Sequence, residues 1–235
     1  MVKNENLNKK KLMTLQFTDS NKMYSYMLVA FLVLLILDLI AYFGFLNRIP
    51  DFANKFGFWI FYLNISIVTL GGSVWYYVTH KGYVSCMASM MIGMTIGMQT
   101  GMMIGAVFGA VNGYFVGAMV GMILGALTGA LSGKDSIMGW LQGMMMGLMG
   151  GTMGAMITVM MFTDHVLWFM PFYTILNVLL LLGFNYMYYD EVVRDNKELI
   201  KNDIDIFTFI SACVIVTTIL TVLMIYAPKS VLFGG

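Results

Sequence analysis

Apolar residues in this chain run in long unbroken blocks, with polar and charged residues gathered between them. The blocks fall at residues 24–46, 57–79, 84–110, 114–131, 137–162, 166–188 and 206–227. Each is close to or above the ~20 residues that cross ~30 Å of hydrocarbon as a helix. The pattern predicts an all-α fold: a polytopic membrane bundle of about seven transmembrane helices. Residues 24–227 then form a single transmembrane domain, between a tail at 1–23 and a short C-terminal tail at 228–235. Residues 84–133 carry no charge, and one unbroken helix of that length would be about twice too long for a bilayer. Asn112-Gly113 is the only turn signal in that stretch, so a tight hairpin is expected there.

Composition agrees with a bilayer as solvent: 60% of residues are hydrophobic and 11% charged, about half the charge density of a soluble domain. With the N-terminus in the cytoplasm, Lys3, Lys9, Lys10, Lys11, Lys22, Lys81, Lys134, Arg194, Lys197 and Lys201 lie inside. Only Arg48, Lys55 and Lys229 lie outside. This asymmetry sets the expected orientation, with a basic cytoplasmic tail leading into a retained first helix. The setting it suggests is the plasma membrane of a prokaryote. Residues 190–205 read as a solvated inner connector. Trp59, Trp75, Trp140 and Trp168 fall near proposed helix ends, as interfacial aromatics do.

Several function classes find no support. No basic, aromatic-interleaved stretch suggests nucleic acid. H-E-x-x-H, P-loop and G-x-S-x-G motifs are missing, and two histidines are too few for a catalytic constellation, so the chain does not read as an enzyme. Cys86 and Cys213, both within apolar blocks, imply no disulfide framework. Asp38 is the one ionisable residue deep in a proposed span. A carboxylate there is costly and is expected to face a partner or a wet cavity.

Glycine recurs at 93, 97, 101, 105, 109, 113, 117, 121, 125, 129 and 133, then at 139, 143, 147 and 151, with Gly150 and Gly154 beside the second series. A four-residue step advances a helix by about 400°, which makes a slowly drifting stripe along the i±4 ridge. In water this would be poor helix design. In lipid, small-xxx-small ridges let backbones approach closely, so the ladder predicts a glycine-ridge core and allows a homo-oligomer.

Methionine forms a second ladder. Met90, Met94, Met98 and Met102 lie one turn apart, with Met87 and Met91 at the base of the stripe. Met145, Met149, Met153, Met156 and Met160 repeat the pattern on the fifth block. Of 25 methionines, 18 fall between residues 86 and 161, while the equally apolar last two blocks hold only Met170, Met187 and Met224. Two readings account for this contrast. Unbranched methionine fills the irregular grooves that glycine leaves, or stacked thioethers offer the soft donors that suit Cu(I). Other soft or borderline ligands flank the tract. Cys86 adjoins Met87 with His80 before it, Cys213 lies about two turns into the last block, and Asp164 and His165 follow Met161.

At MASMMIGM (87–94) and the glycine run after it, the chain resembles the Ctr-type copper uptake transporters, whose signature is M-x3-M on one helix and G-x3-G on the next. Met87/Met91, Met90/Met94, Met145/Met149 and Met156/Met160 match the first motif. The resemblance implies thioether rings that pass Cu(I) inward. It covers the middle third of the chain. That family has three spans and a methionine-rich extracellular N-terminus, so shared chemistry rather than kinship is implied.

The expected function is therefore an integral membrane protein that binds and transports a soft metal ion, Cu(I), with the lipid bilayer, the ion and a second copy of the chain as its expected partners. The expected ligands are Cys86, Met87, Met90, Met91, Met94, Met98, Met102, Met145, Met149, Met153, Met156, Met160 and His165. The alternatives are a transporter or channel for another small solute, and a structural oligomer in which Met and Gly only pack. The topology is directly testable: reporter fusions after Lys134 and after Lys229 are expected on opposite sides of the membrane, and reporting from the same side would overturn the seven-span count.

Overall fold

The computed structural model of the protein describes residues 25–41, 56–81, 84–161, 166–188, 200–201 and 206–228. They form seven helices: α1 (Ser25–Ala41), α2 (Phe58–Thr79), α3 (Cys86–Asn112), α4 (Tyr114–Ser132), α5 (Ile137–Met161), α6 (Val166–Tyr188) and α7 (Ile206–Tyr226). The helices α2 to α7 are each long and apolar enough to cross a membrane. The chain is thus a multi-pass helical membrane bundle in contact with lipid.

Local chemistry marks the helix ends. Ser85 caps α3, its Oγ accepting from the Ala88 N–H at 3.2 Å, and Ser136 does the same for α5 through the Gly139 N–H at 2.9 Å. Between α3 and α4 there is a single residue, Gly113, at φ 94° and ψ 172°. That φ is one an L side chain rarely adopts, so glycine is required for the reversal. The expected hairpin is therefore present, and it is as tight as two helices can make it. At the other end of the bundle, His80–Lys81 pairs antiparallel with Ile200–Lys201. This bridge ties the α2–α3 and α6–α7 connections to one end, which we call the Lys134 end; the opposite one is the Asn112 end.

The helix α3 is central: 72% of its most apolar stretch is buried, against 22% for α7. Its two faces solve different packing problems. One face meets α4 and α5 chiefly through glycine. Gly93, Gly133 and Gly139 form the first layer; Gly97, Gly129 and Gly143 the second; Gly101, Gly125 and Gly147 the third; Gly105, Gly121 and Gly151 the fourth. In the fifth, Ala155 takes the glycine's place opposite Gly109, which also meets Gly117. Four residues rise ~6 Å, so the five layers extend over ~24 Å, most of the hydrocarbon thickness.

A Cβ on any of these glycines would come within 3.0 Å of a neighbouring backbone atom. Gly150 and Gly154 add a second seam, lying against the backbone of Met98 and Met102. Hydrophobic burial gives no driving force between helices in lipid, so close packing must supply it. Gly97 faces the Gly143 carbonyl, Gly105 that of Gly151, and Gly125 that of Gly147. Cα–H···O contacts of this kind contribute about 0.5–1 kcal/mol each.

The opposite face of α3 carries large side chains. Ile92 and Ile96 cluster with Tyr77 of α2 and with Phe184 and Tyr188 of α6. Further along, Met103, Ile104, Val107 and Phe108 join a core shared with Leu63 and Leu70 of α2, Leu181 of α6 and Leu220 of α7. Trp140 and Trp168 are exposed, as interfacial aromatics should be, whereas Trp59 is buried and Trp75 stacks on Phe209 at 5.2 Å inside the bundle.

Because backbone cannot move aside as a side chain can, Gly101→Leu and Gly121→Ile should destabilise by more than the ~1–3 kcal/mol of ordinary overpacking. Gly183, with nothing within 4 Å of its added Cβ, should accept alanine with no loss and a gain of up to ~1 kcal/mol. Unfolding midpoints of the three purified variants check the contrast.

Candidate functional site

The methionine ladders occupy two settings. On α3, Met90, Met94, Met98 and Met102 are half-buried, with Met98 and Met102 at the seam where Gly150 and Gly154 of α5 press on their backbone. On α5, Met145, Met149, Met153, Met156 and Met160 point outward, between 39% and 66% exposed. Met87 and Met91, at the start of α3, are also exposed. The glycine stripe explains the difference. Glycines turn one side of α5 inward, so the methionines between them face away, while α3 is surrounded and leaves its methionines only a flank.

The two thiols differ in setting. Cys86 is exposed at the first residue of α3. Cys213 is buried against α2, its Sγ 3.3 Å from where a Cβ on Gly71 would stand. The side chain of His80, and His165 with Asp164, lie outside the described residues. Among the described residues no three His, Cys, Asp or Glu side chains are grouped as metal ligands would be. Among the described residues the soft donors are the thioethers, the exposed Cys86 and the buried Cys213.

The axis of α3, α4 and α5 offers no passage, since backbone fills it at every layer. What a ligand could reach lies on the flanks of that cluster or in the second half of the bundle. There the structure gives Asp38 the partner expected of it and brings together amide and hydroxyl groups that the charge and motif reading passed over. Asp38 receives a hydrogen bond from Nδ2 of Asn64, a fully buried residue of α2. This supplies the partner that an intramembrane carboxylate requires. Asn112 donates from Nδ2 to the carbonyls of Met224 at 3.1 Å and Ala227 at 3.2 Å. It thereby satisfies two carbonyls at the C-terminal end of α7, where intrahelical partners run out. Near the Lys134 end, Tyr77 donates its hydroxyl proton to Asp135 at 2.6 Å, fixing the α4–α5 turn against α2.

Tyr173, Asn177 and Asn185 lie four and eight residues apart, on one buried face of α6. That spacing is a usable signal in the sequence: uncharged polar residues on an i±4 ridge of a membrane helix turn toward protein rather than lipid. Gln99 of α3 is the corresponding buried amide on the central helix.

Comparison with protein-family models, curated proteins and solved structures returns no match. The reading of the site consequently rests on its own chemistry.

The Asp38–Asn64 pair yields a stability test. Asn64→Leu removes the hydrogen-bond partner that the carboxyl group has among the described residues and should cost about 1–3 kcal/mol, the penalty for a polar group left unpaired away from water. Adding Asp38→Leu should restore most of that loss, since replacing both partners by apolar side chains is near neutral. Denaturant titration of the single and double variants measures both effects.

Proposed function

We propose that this multi-span membrane protein binds a soft metal ion, Cu(I), on the outer flank of the α3–α5 seam and conducts it along α3. The observation that carries this reading is the file Met90, Met94, Met98, Met102. These thioethers stand one turn apart on the central helix and are half-buried, neither lost in the core nor fully given over to lipid. Gly150 and Gly154 draw α5 against the backbone of Met98 and Met102, the second half of the file. Thioethers are soft, neutral donors that prefer Cu(I) to hard cations, and a row of similar weak sites suits passage better than one deep site. In this reading Cys86 and Met87 receive or release the ion at the Lys134 end, which faces the cytoplasm, and the exposed methionines of α5 are secondary donors.

Leucine keeps nearly the size of methionine and removes the sulfur. The double variant Met94→Leu/Met98→Leu should change stability by less than ~1.5 kcal/mol. It should weaken Cu(I) or Ag(I) binding by the purified, reduced protein at least about tenfold, or ~1.4 kcal/mol. Equal metal affinity in parent and variant would show that these side chains are packing.

A further inference from the structure

Beyond its first turn α1 carries one polar side chain, Asp38. Ala30, Leu34 and Asp38 follow one another at four-residue steps, and the first two are buried. Asp38 continues that stripe toward α2, half-buried, and there Asn64 Nδ2 donates to its carboxyl group. Leu37, Leu39 and Ile40 beside it are exposed, and in a bilayer their neighbour is lipid.

No described cation stands near this carboxyl group. The other charged positions of the described chain, Lys81, Lys134, Asp135 and Lys201, gather at the Lys134 end. Tyr77, which bonds to Asp135 there, is thirteen residues beyond Asn64 on α2, or ~20 Å. The titratable side chains that share the core on this side are Tyr62 of α2, Tyr173 of α6 and Cys213 of α7. On α1 itself Tyr26 lies against Trp75, about three turns away. All four are neutral weak acids and offset no negative charge. A carboxylate without a counter-charge in hydrocarbon is so costly that the group takes up a proton instead.

The partner fits that form. Asn64 is fully buried, and its Oδ1 has no partner among the described residues. A side-chain amide presents a donor and an acceptor. A carboxylate presents acceptors alone, whereas a neutral carboxyl group presents one of each. Ionised, Asp38 uses Nδ2 and leaves Oδ1 stranded; as the acid it accepts from Nδ2 and has an O–H to give. Turning the amide over leads to the same form, because Oδ1 would then face a carboxyl oxygen and only the acid proton could bridge the two.

We infer that Asp38 and Asn64 form a proton-binding site, in which Asp38 carries an exchangeable proton at neutral pH and Asn64 holds the neutral acid against α2. Loading forms one O–H bond on the carboxylate, with the proton drawn from water. The Asn112 end is the nearer source, since Asn64 lies six residues from the Phe58 start of α2, or ~9 Å. The site uses neither the methionine file nor a metal.

Infrared difference spectroscopy of the purified protein in lipid at neutral pH tests the assignment. Asp38→Asn keeps the shape of the side chain and removes the acid proton. The wild-type spectrum minus that of the variant should contain the carbonyl band of a neutral carboxyl group, and carboxylate bands in its place would overturn the inference. Wild-type protein labelled with carbon-13 in the aspartate carboxyl groups gives the same reading without a substitution: a neutral-acid band should move with the label, and the lack of one would overturn the site. In deuterated buffer the band should shift, as an exchanging proton requires; an unchanged frequency would contradict exchange. Asn64→Leu should move the band to higher frequency through loss of the hydrogen bond, and a band that stays in place would remove Asn64 from the site.

Discussion

Direct contact of three helix backbones is the constraint on which the rest of this structure depends. In hydrocarbon, helices gain nothing by hiding apolar side chains from one another, and what remains is the quality of packing. The layers from Gly93, Gly133 and Gly139 to Gly105, Gly121 and Gly151 bring α3, α4 and α5 to the closest approach that backbones allow. The four-residue repeat keeps the contact continuous across the bilayer. It also explains why α3 and α4 are joined by Gly113 alone: helices this close leave no span for a longer loop to bridge.

The same constraint decides where chemistry can occur. A core filled by backbone has no lumen, so side chains with ligand character are displaced to its flanks or to the far side of α3. Methionine occupies the flanks, where a flexible unbranched side chain follows the uneven surface beside a glycine ridge. The far side is assembled differently, from aromatic and aliphatic side chains with a thin set of polar bonds: Asp38 to Asn64, Asn112 to the end of α7, Tyr77 to Asp135. These bonds join elements that the glycine core does not reach. Trp75, stacked on Phe209, fastens α7 to α2 in the same way.

Much of this was legible in the sequence because the bilayer imposes length and polarity directly. Hydropathy places the helices within two residues of their observed ends from Phe58 onward, as for Val166–Tyr188, and Asn112-Gly113 marks the hairpin. The glycine period announces close packing, yet it names a stripe and not a partner. Nothing local says that Gly97 meets Gly143, or that Ala155 completes the ladder after Gly151. The orientation of the methionines was likewise hidden. Met94 and Met149 have the same local pattern, but one sits on a surrounded helix and the other on an outer one. Trp59 and Trp75 looked like interfacial aromatics because residues near a helix end can turn either way. Asn112 as the cap of α7 depends on a contact across more than a hundred residues, which no periodicity encodes.

Hydrogen exchange of the backbone amides tests the central claim, that α3, α4 and α5 form one cooperative unit held by backbone contact. In the purified protein, amides of residues 97–105, 121–129 and 143–151 should exchange last and at a common rate, because the three segments open only together, while those of α7 exchange earlier. Separate rates for the three segments, or protection no greater than that of α7, would contradict the account.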